Sequence, residues 1–543
     1  MIRRSRFAFA FLLLSVAIPS FPQQQTGNTG SIRGTVIDAK TSQPLNAATV
    51  SLQNAQASGG WNSATTAADG TFLFQGLLPG SYRLSASRNG YVSSARGGGP
   101  RNGARNPGTT VSLSAGQSLD DVVLRLMPTG VITGHITNER DEPMPGVLVQ
   151  SMKANFRNGH REFTDARTGF TDDRGEFRIW GLAPGQYYLK AINPRSVERG
   201  PTPTQVYVPI FYPGVADPAQ AQAIELHPGE ELSGINLSLS AFRAVHVRGR
   251  VLTSNGTPAK GADVTLSQFA GDGYSLEVES DPAGKFDLTA VPPGSYTIVA
   301  QSSDNSMSGH LQMGRANISV GETPVDAPDL VLFPGAIVSG HVRIDGDRKV
   351  ALPRSFASLK PLYADATATV DSVAVQPDGS FTFHDVPEGE YGLTVSPLPD
   401  GYYVRTGRDA ASAGILVSHG HAPPAEIRIG PGAVRLQGTV YKDSDNQQVA
   451  ASVTVALVPD ATRRSNGEYY RVATTDQSGA FVLANIPPGD YSLFAMENID
   501  RNAFMDPAFL QRYEGAGKSI HIEEGTNQNL QLQLTADAED SSH

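Results

Sequence analysis

Apolar and polar residues alternate along most of this chain, and one alternating stretch recurs five times. Its clearest copy reads GAFVLANIPPGDYSLF, beginning at Gly479. Phe481 and Leu483 alternate with other positions, a Pro-Pro-Gly turn follows, and Tyr491 and Leu493 resume the alternation. Alternation with a period of two predicts β-strands, and a proline-glycine turn between two such runs predicts one β-hairpin.

The two aromatic residues of this stretch keep a fixed spacing. In every copy a Phe precedes a Tyr by ten residues: Phe72 and Tyr82, Phe177 and Tyr187, Phe286 and Tyr296, Phe381 and Tyr391, Phe481 and Tyr491. A slip of one residue would send a ring to the opposite face of its strand. The spacing therefore predicts that both rings lie in the core, with each Tyr hydroxyl near the backbone of the turn.

Each copy lies within a longer repeat that predicts a complete domain. The repeat opens with an apolar strand that has a central glycine: Gly34, Gly134, Gly249, Gly340 and Gly438. Further alternating runs follow, and two closing strands flank a glycine turn. About seven strands without a helical period predict a small antiparallel β-sandwich. Short junctions, several containing proline, predict a rod of five such domains, at residues 30–127, 128–241, 242–333, 334–430 and 431–535.

The two ends of the chain differ from the repeats. Residues 1–20 combine Arg3, Arg4 and Arg6 with an apolar run, as a signal peptide does; a retained membrane anchor is the alternative. A linker at 21–29 and a polar tail at 536–543 complete the chain. We find no other run of about 18 apolar residues, so we expect an exported protein (periplasmic, cell-surface or extracellular) with no transmembrane span after signal removal.

Composition narrows the classes of function. The chain has no cysteine, so disulfides, thiolate metal sites and cysteine nucleophiles are excluded. Its net charge of −10 argues against a nucleic-acid partner. An exported chain without disulfides depends on core burial, which repeats of about 100 residues can supply.

The order of these features resembles the carboxypeptidase regulatory-like domain family. The features that carry the resemblance are the Gly-x-Val opening, the Gly-x-Phe strand and the Pro-Gly-x-Tyr-x-Leu strand, over nearly all of residues 30–535. The resemblance implies a transthyretin-like sandwich, grouped by shape with carbohydrate-binding-like folds. Such domains accompany metallocarboxypeptidases, outer-membrane receptors and large surface proteins, so the resemblance implies a fold more than an activity.

The sequence offers no catalytic motif. A zinc carboxypeptidase needs two His and a Glu on the metal and a second Glu as base. The His-x-x-Glu from His227 to Glu230 coincides with the closing turn of the second repeat, and we interpret it as a turn. His419 and His421 have no evident carboxylate partner. We predict no catalytic, metal or cofactor-binding residues, and we predict that the protein is not an enzyme.

Candidate ligand-binding residues are aromatic and lie in the second repeat. Tyr207, Phe211 and Tyr212 belong to an insertion, and alternation places Trp180 outward. If they converged, they would form a platform beside Arg174 and Arg178 that could stack on a sugar. The alternative, which we favour, is that the insertion covers a sheet edge or a junction and that Trp180 packs on a neighbouring repeat.

Three functions follow from these expectations. The leading interpretation is an exported, non-catalytic scaffold or adhesion protein. The second is a carbohydrate-binding surface or periplasmic protein, and the third is an accessory subunit of an envelope enzyme or transporter. The expected partner is accordingly a polysaccharide or another envelope protein.

Overall fold

A computed structural model describes most of the repeat region of the chain. It covers residues 29–54, 61–93, 109–157, 160–193, 205–268, 273–303, 311–346, 352–362, 370–405 and 414–535, less short gaps at 443–444, 446–447, 452, 465, 498, 500–501, 514 and 526–527. The expected signal peptide and polar tail, and all of the linker but its last residue, lie outside these residues. Most of repeat 1, residues 29–89 and 109–126 among those described, belongs to one compact unit, and the other described residues belong to a second.

Repeat 1 contains eight strands among its described residues: β1 (Gly30–Asp38), β2 (Thr49–Asn54), β3 (Trp61–Thr65), β4 (Thr71–Leu77), β5 (Gly80–Ser87), β6 (Tyr91–Ser93), β7 (Thr109–Leu113) and β8 (Ser118–Pro128). One sheet has the order β4-β1-β8, and the other has the order β3-β2-β5-β7. Ile32, Val50, Phe72 and Leu84 are buried in its core.

Repeat 2 has the longest second and third strands. Its strands are β9 (Gly130–Asn138), β10 (Leu148–Arg157), β11 (His160–Phe170), β12 (Glu176–Leu182), β13 (Gly185–Ile192), β14 (Gln205–Tyr207), β15 (Ile210–Phe211), β16 (Ile224–Leu226), β17 (Glu231–Leu232) and β18 (Leu237–Leu239), followed at the junction by β19 (Ala241–Arg243). The sheets are β12-β9-β17, with β18 also on β9, and β11-β10-β13-β15, with β16 also on β13. A 3-10 helix spans Pro218–Gln220.

Repeat 3 joins its two layers into one continuous sheet. Its strands are β20 (Val245–Thr253), β21 (Asp263–Ser267), β22 (Ser275–Glu279), β23 (Lys285–Val291), β24 (Gly294–Ser303), β25 (Leu311–Val320), β26 (Val325–Asp326) and β27 (Leu330–Pro334). The order is β22-β21-β24-β25-β27-β20-β23. Strand β25 joins the layers because it pairs with β24 along its length and with β27 near its start.

Repeat 4 returns to two separate sheets. Its strands are β28 (Ala336–Ile344), β29 (Phe356–Pro361), β30 (Val373–Ala374), β31 (Ser380–Val386), β32 (Gly389–Ser396), β33 (Tyr402–Val404), β34 (Ile415–Val417) and β35 (Ala425–Pro431). The sheet orders are β31-β28-β35-β33 and β30-β29-β32-β34.

Repeat 5 adds helices to the same plan. Its strands are β36 (Val434–Tyr441), β37 (Thr454–Pro459), β38 (Arg471–Thr474), β39 (Ala480–Ile486), β40 (Gly489–Met496), β41 (Lys518–Ile522) and β42 (Gln528–Gln533), in sheets β39-β36-β42 and β38-β37-β40-β41. Three 3-10 helices span Ala461–Arg463, Gly467–Tyr469 and Ala503–Met505, and α1 spans Pro507–Arg512. These helices lie where the sequence showed no helical period.

The sheets are mixed rather than purely antiparallel. The closing strand of a repeat pairs in parallel with its first strand, as β8 does with β1 and β42 with β36. The expectation of an antiparallel sandwich is therefore wrong for this pair. The closing strand returns to the first sheet after a strand in the second sheet, and it arrives in the same direction as the opening strand.

The recurrent Phe and Tyr strands do not form the hairpin predicted from the sequence. In repeat 5 the Phe strand β39 pairs with β36, whereas the Tyr strand β40 pairs with β37 and β41 in the opposite sheet. The Pro-Pro-Gly turn therefore carries the chain from one sheet to the other. The rings of the recurrent Phe and Tyr both point into the space between the sheets. The alternation of apolar and polar residues along the two strands is therefore the same as it would be in a hairpin.

The first-strand glycine is required by the ring of the recurrent Phe. Glycine and Phe are register partners on neighbouring strands in all five repeats, for example Gly34 with Phe72 and Gly438 with Phe481. A Cβ at Gly438 would lie 2.9 Å from Phe481 Cε1. An aromatic ring over a strand glycine fills the space that the glycine leaves and pins the register.

The recurrent Tyr residues behave as predicted. Each is at most 6% exposed, and each hydroxyl donates to the backbone carbonyl four residues earlier: Tyr82 to Leu78 (2.7 Å), Tyr187 to Ala183 (2.6 Å), Tyr296 to Pro292 (2.8 Å), Tyr391 to Pro387 (2.9 Å) and Tyr491 to Pro487 (2.8 Å). These bonds hold the turn between the sheets, and burial raises the pKa of Tyr491 to about 12.

A buried hydroxyl fixes the loop between the first and second strands in four repeats. Thr475 Oγ1 donates to Ala450 O (2.7 Å) and accepts from Val453 N (2.9 Å). Thr66, Thr171 and Ser280 make the same pair of bonds. Each hydroxyl stands four residues before a glycine with positive φ, a recurrence that our sequence analysis missed.

Repeats 2 and 5 contact each other within the second unit. Asn502 Nδ2 donates to Asn155 Oδ1 at 3.1 Å, and the 3-10 helix Ala503–Met505 lies against β10. A rod with its repeats in chain order would keep these two repeats apart. The rod expectation is therefore wrong for repeats 2 to 5.

Candidate ligand-binding surface of repeat 2

Trp180 lies on the outer face of the first sheet, as alternation predicted. Its side chain is 63% exposed, whereas Phe177 and Ile179 on the same strand are buried. Across the sheet, Trp180 is the register partner of Val131, which is in turn the register partner of Glu231. The Arg167 guanidinium carbon lies 5.8 Å from the centre of the Trp180 ring, within the range of a cation–π contact.

Charged groups lie beside this ring. Arg178 is two residues from Trp180 on the same face, and its Nε is 3.5 Å from Glu231 Oε1. Both side chains are more than half exposed, so the pair adds little to stability. Arg174, the other expected neighbour, donates its backbone N–H to Asp172 as part of a turn.

The aromatic insertion is folded into the protein. Phe211 is fully buried; its ring centre lies 5.8 Å from that of Phe163, and Lys190 Nζ lies 5.6 Å from it. Tyr207 and Tyr212 are partly buried against the core of repeat 2. Strand β14 of the insertion pairs with the junction strand β19, so the insertion covers the sandwich and contacts the junction.

The four candidate residues do not form one platform. Trp180 lies on β12 of the first sheet, whereas Phe211 lies on β15 of the second. Phe211 belongs to a separate buried cluster with Met152, Tyr188 and Ala221. A buried ring cannot stack on a ligand, so Phe211 is excluded. Tyr207 and Tyr212 are partly buried, and Trp180 with its charged neighbours is the most exposed part of the candidate surface.

Arg161 is a structural residue that our sequence reasoning missed. Its guanidinium carbon lies 4.9 Å from the Tyr188 ring centre and 5.2 Å from that of Phe163. Its Nη2 also donates to the carbonyls of Pro218 (2.7 Å) and Ala219 (2.8 Å). It thereby connects the third strand to a 3-10 helix 57 residues further along the chain. No local motif marks a contact of this separation.

The His-x-x-Glu segment forms the turn that we expected. The Glu230 carboxylate accepts from the His227 backbone N–H at 2.7 Å, and Glu230 N donates to His227 O at 3.1 Å. Gly229 between them has φ 69°. The carboxylate thus closes a turn of four residues, from His227 to Glu230.

The other candidate histidines contact nearby groups of the fold. His419 Nδ1 lies 2.8 Å from Ser418 Oγ, and its ring meets Phe333 edge-on at 4.8 Å. The backbone N–H groups of His421 and Ser418 each donate to the carbonyl of the other residue, at 3.0 Å. Across the described ranges, no cluster of three or more His, Asp or Glu side chains is arranged to hold a metal ion, and no helix is long and apolar enough to span a membrane.

Pairs of β-sheets that enclose apolar cores make this chain an all-β, multidomain protein of β-sandwich type. A profile of the carboxypeptidase regulatory-like domain matches residues 31–126 and 246–325. The protein therefore carries repeated carboxypeptidase regulatory-like domains.

Two curated relatives match at low identity. BOS complex subunit NOMO1 of Mus musculus is 26% identical over 205 residues, which are 37% of this chain and 14% of the relative. Colossin-A of Dictyostelium discoideum is 23% identical over an alignment of 499 residues, and the match covers 83% of this chain and 4% of the relative. The matches thus span a small part of either relative.

Among solved structures, the minor pilin GBS52 of Streptococcus agalactiae matches 39% of this chain and 95% of its own, with 15% identity and a TM-score of 0.23. A TM-score this low supports no argument about architecture or function.

Proposed function

We propose that the chain is an exported, non-catalytic scaffold or adhesion protein built from five sandwich domains with seven strand positions in common. The observation that carries this proposal is that the recurrent polar side chains bind backbone groups of the fold itself. The Tyr hydroxyls, the buried Thr and Ser hydroxyls and the Asp carboxylates of the turns all bind nearby backbone groups. A repeat whose shared polar groups all stabilise turns is suited to a mechanical or spacing role.

The sequence differences between repeats also support a scaffold. The inner Phe and Tyr recur, while strand lengths, insertions and outer faces differ from one repeat to the next. Variable elements on a constant framework are where recognition is usually located. Each repeat can therefore present a different surface on one framework.

Cell fractionation with N-terminal sequencing tests the export part of the proposal. We expect a mature N-terminus near residue 21 in the periplasmic, surface or extracellular fraction. An uncleaved chain in the cytosol would contradict export.

A peptidase assay tests the non-catalytic part. The mature chain, with and without added Zn²⁺, should release no C-terminal residues from peptides, and His227→Ala should behave as the unaltered chain. Zinc-dependent release that disappears in His227→Ala would show that the turn interpretation is incomplete and that the protein is an enzyme.

Carbohydrate binding is a second candidate, and the exposure of Trp180 favours it. An exposed indole with Arg167, Arg178 and Glu231 nearby offers an apolar face and polar groups for sugar hydroxyls. A single stacked ring contributes about 0.5–1.5 kcal/mol beyond the burial of its area. Binding by one such surface would be weak, and useful affinity would need a multivalent glycan.

Tryptophan fluorescence tests this candidate on the mature chain, which contains two Trp residues. Trp61→Phe leaves Trp180 as the reporter, and Trp180→Phe is the matched control. Saturable changes with starch, xylan or peptidoglycan fragments in Trp61→Phe alone would support binding at Trp180. No change with any glycan, or equal changes in both variants, would count against it.

A further inference from the structure

The second and third strands of repeat 2 extend beyond the sheet that supports them. Strand β10 has 10 residues and β11 has 11, whereas β2 and β3 have 6 and 5. Only Leu148 to Met152 of β10 pair with β13; residues 153–157 pair with β11 alone. We call residues 153–157 and their partners on β11 the ribbon.

A two-stranded ribbon of this kind needs a covering partner. Isolated β-hairpins are marginally stable in water and gain stability by packing against another element. Phe156 belongs to the ribbon, yet it is only 8% exposed. Asn155, beside it in sequence, is the residue that bonds to repeat 5.

The partner in repeat 5 also departs from the common plan. Between β40 and β41 the chain forms the 3-10 helix Ala503–Met505 and α1, which we call the helical insertion. It is anchored on repeat 5 by Phe504, Phe509, Leu510 and Tyr513, which are buried with Phe494 and Met496. The insertion is thus fixed in place on its own repeat.

Asn502 connects the helical insertion to the ribbon. It is the N-cap residue of the 3-10 helix, but its side chain makes no capping bond. Its backbone has φ 63°, a left-handed conformation that Asn tolerates better than most residues. Its Nδ2 instead donates to Asn155 Oδ1 at 3.1 Å, across 347 residues of chain.

We propose that the ribbon of repeat 2 is an interaction surface for the helical insertion of repeat 5 in the same chain. The ribbon and the helical insertion both depart from the repeat plan, and they meet at this point. The insertion supplies the covering partner that the ribbon needs, and the ribbon supplies a surface on which the insertion packs. The contact closes repeats 2 to 5 into an arrangement in which repeats 3 and 4 are looped between the two contacting repeats. It thereby sets which outer surfaces the protein presents.

Paired substitutions on the full mature chain test this proposal. Asn502→Asp keeps a residue that tolerates the left-handed backbone. Combined with Asn155→Asp it places two like charges at the contact, and combined with Asn155→Lys it places opposite charges there. The two double variants share the same change in repeat 5 and differ only in the charge on the ribbon.

Spin labels report the separation of the two repeats. The chain has no native cysteine, so Thr164→Cys on β11 and Gln511→Cys on α1 can be labelled without background and measured by pulsed electron resonance. We expect one short, narrow distance in the otherwise unaltered chain and in the Lys/Asp pair. The Asp/Asp pair should lower the short-distance population about tenfold. Two like charges in contact near a protein surface repel each other by more energy than a tenfold change in population requires.

Three outcomes would overturn the proposal. The first is a broad, long distance in the otherwise unaltered chain. The second is an unchanged short distance in the Asp/Asp pair. The third is loss of the short distance on dilution with unlabelled protein, which would show that the contact joins two different chains.

Discussion

Repeats 4 and 5 have the same interior and different outer faces. Tyr391 and Tyr491 are both buried, and their hydroxyls bond to Pro387 and Pro487 at 2.9 and 2.8 Å. Three residues after each Tyr, however, repeat 4 has Thr394 and repeat 5 has Phe494. Thr394 is partly buried on a face with no helical layer in the described residues, whereas Phe494 belongs to a second buried cluster.

This difference shows that the two faces of one sheet have separate roles. The inner residues of the Tyr strand determine the sandwich, because they fill the space between the sheets. The outer residues determine whether the sheet acquires another layer. Repeat 2 covers the same outer face by other means, with Tyr188 and Phe211 rather than with a helix.

The largest expected effect comes from removing the buried Tyr side chain that repeats 4 and 5 share. Tyr491→Ala should lower the free energy of unfolding of repeat 5 by about 3–5 kcal/mol, as other buried aromatic truncations do, and Tyr391→Ala should do the same in repeat 4. Tyr491→Phe, the control, removes only the bond to Pro487 and should cost about 1 kcal/mol. Hydrogen exchange of peptides from each repeat measures these costs; unchanged exchange in Tyr491→Ala would refute the core assignment.

The next largest effect should come from exchanging Phe494 and Thr394, the residues that distinguish the outer faces of repeats 5 and 4. Phe494→Thr should cost about 1.5–3 kcal/mol, the value of burying a large apolar side chain. Exchange should rise in α1 and its flanks while β36 and β39 stay protected. The reciprocal Thr394→Phe should leave repeat 4 folded. Equal loss of protection in β36 would show that the outer layer and the sandwich unfold as one.

A smaller effect tests the pairing of glycine with the recurrent Phe. Gly438→Ala places a methyl group 2.9 Å from Phe481 Cε1, and closer still to the Leu530 carbonyl; overpacking of this kind costs about 1–3 kcal/mol. Gly340→Ala should act alike in repeat 4. The control, Gly525→Ala, meets no atom within 4 Å and bears only the strain of φ 74°. Thermal unfolding should rank Gly438→Ala as the more harmful; the reverse order would contradict this packing.

The smallest effect is acid sensitivity, which both repeats should share. A hydrogen bond from Ser478 Oγ, followed by one from the Ala480 backbone, lowers the pKa of Asp476 below its ordinary 3.8. A depressed pKa in the folded state stabilises the protein above pH 3.8, and this contribution is lost as the pH falls through the folded-state value. Asp476→Asn should remove that part of the acid dependence, as measured by unfolding midpoints between pH 2 and about 5. An identical pH profile in Asp476→Asn would show that the carboxylate contributes nothing.

Much of the repeat plan could be predicted from sequence because it depends on local rules. Period-two alternation identified the strands, the ten-residue spacing placed Phe481 and Tyr491 in the core, and the same rule placed Trp180 outward. These features concern which face of a strand a residue occupies, and a one-residue shift would change all of them.

Tertiary structure alone decided which strands are neighbours. The alternation of β39 and β40 is the same in a hairpin as in two opposed sheets, so it could not show that the turn crosses the core. The burial of Phe211 depends on its pairing with β13 and on the ring of Phe163, and the bond between Asn155 and Asn502 spans 347 residues. Such contacts depend on packing between distant segments, for which alternation and spacing carry no signal.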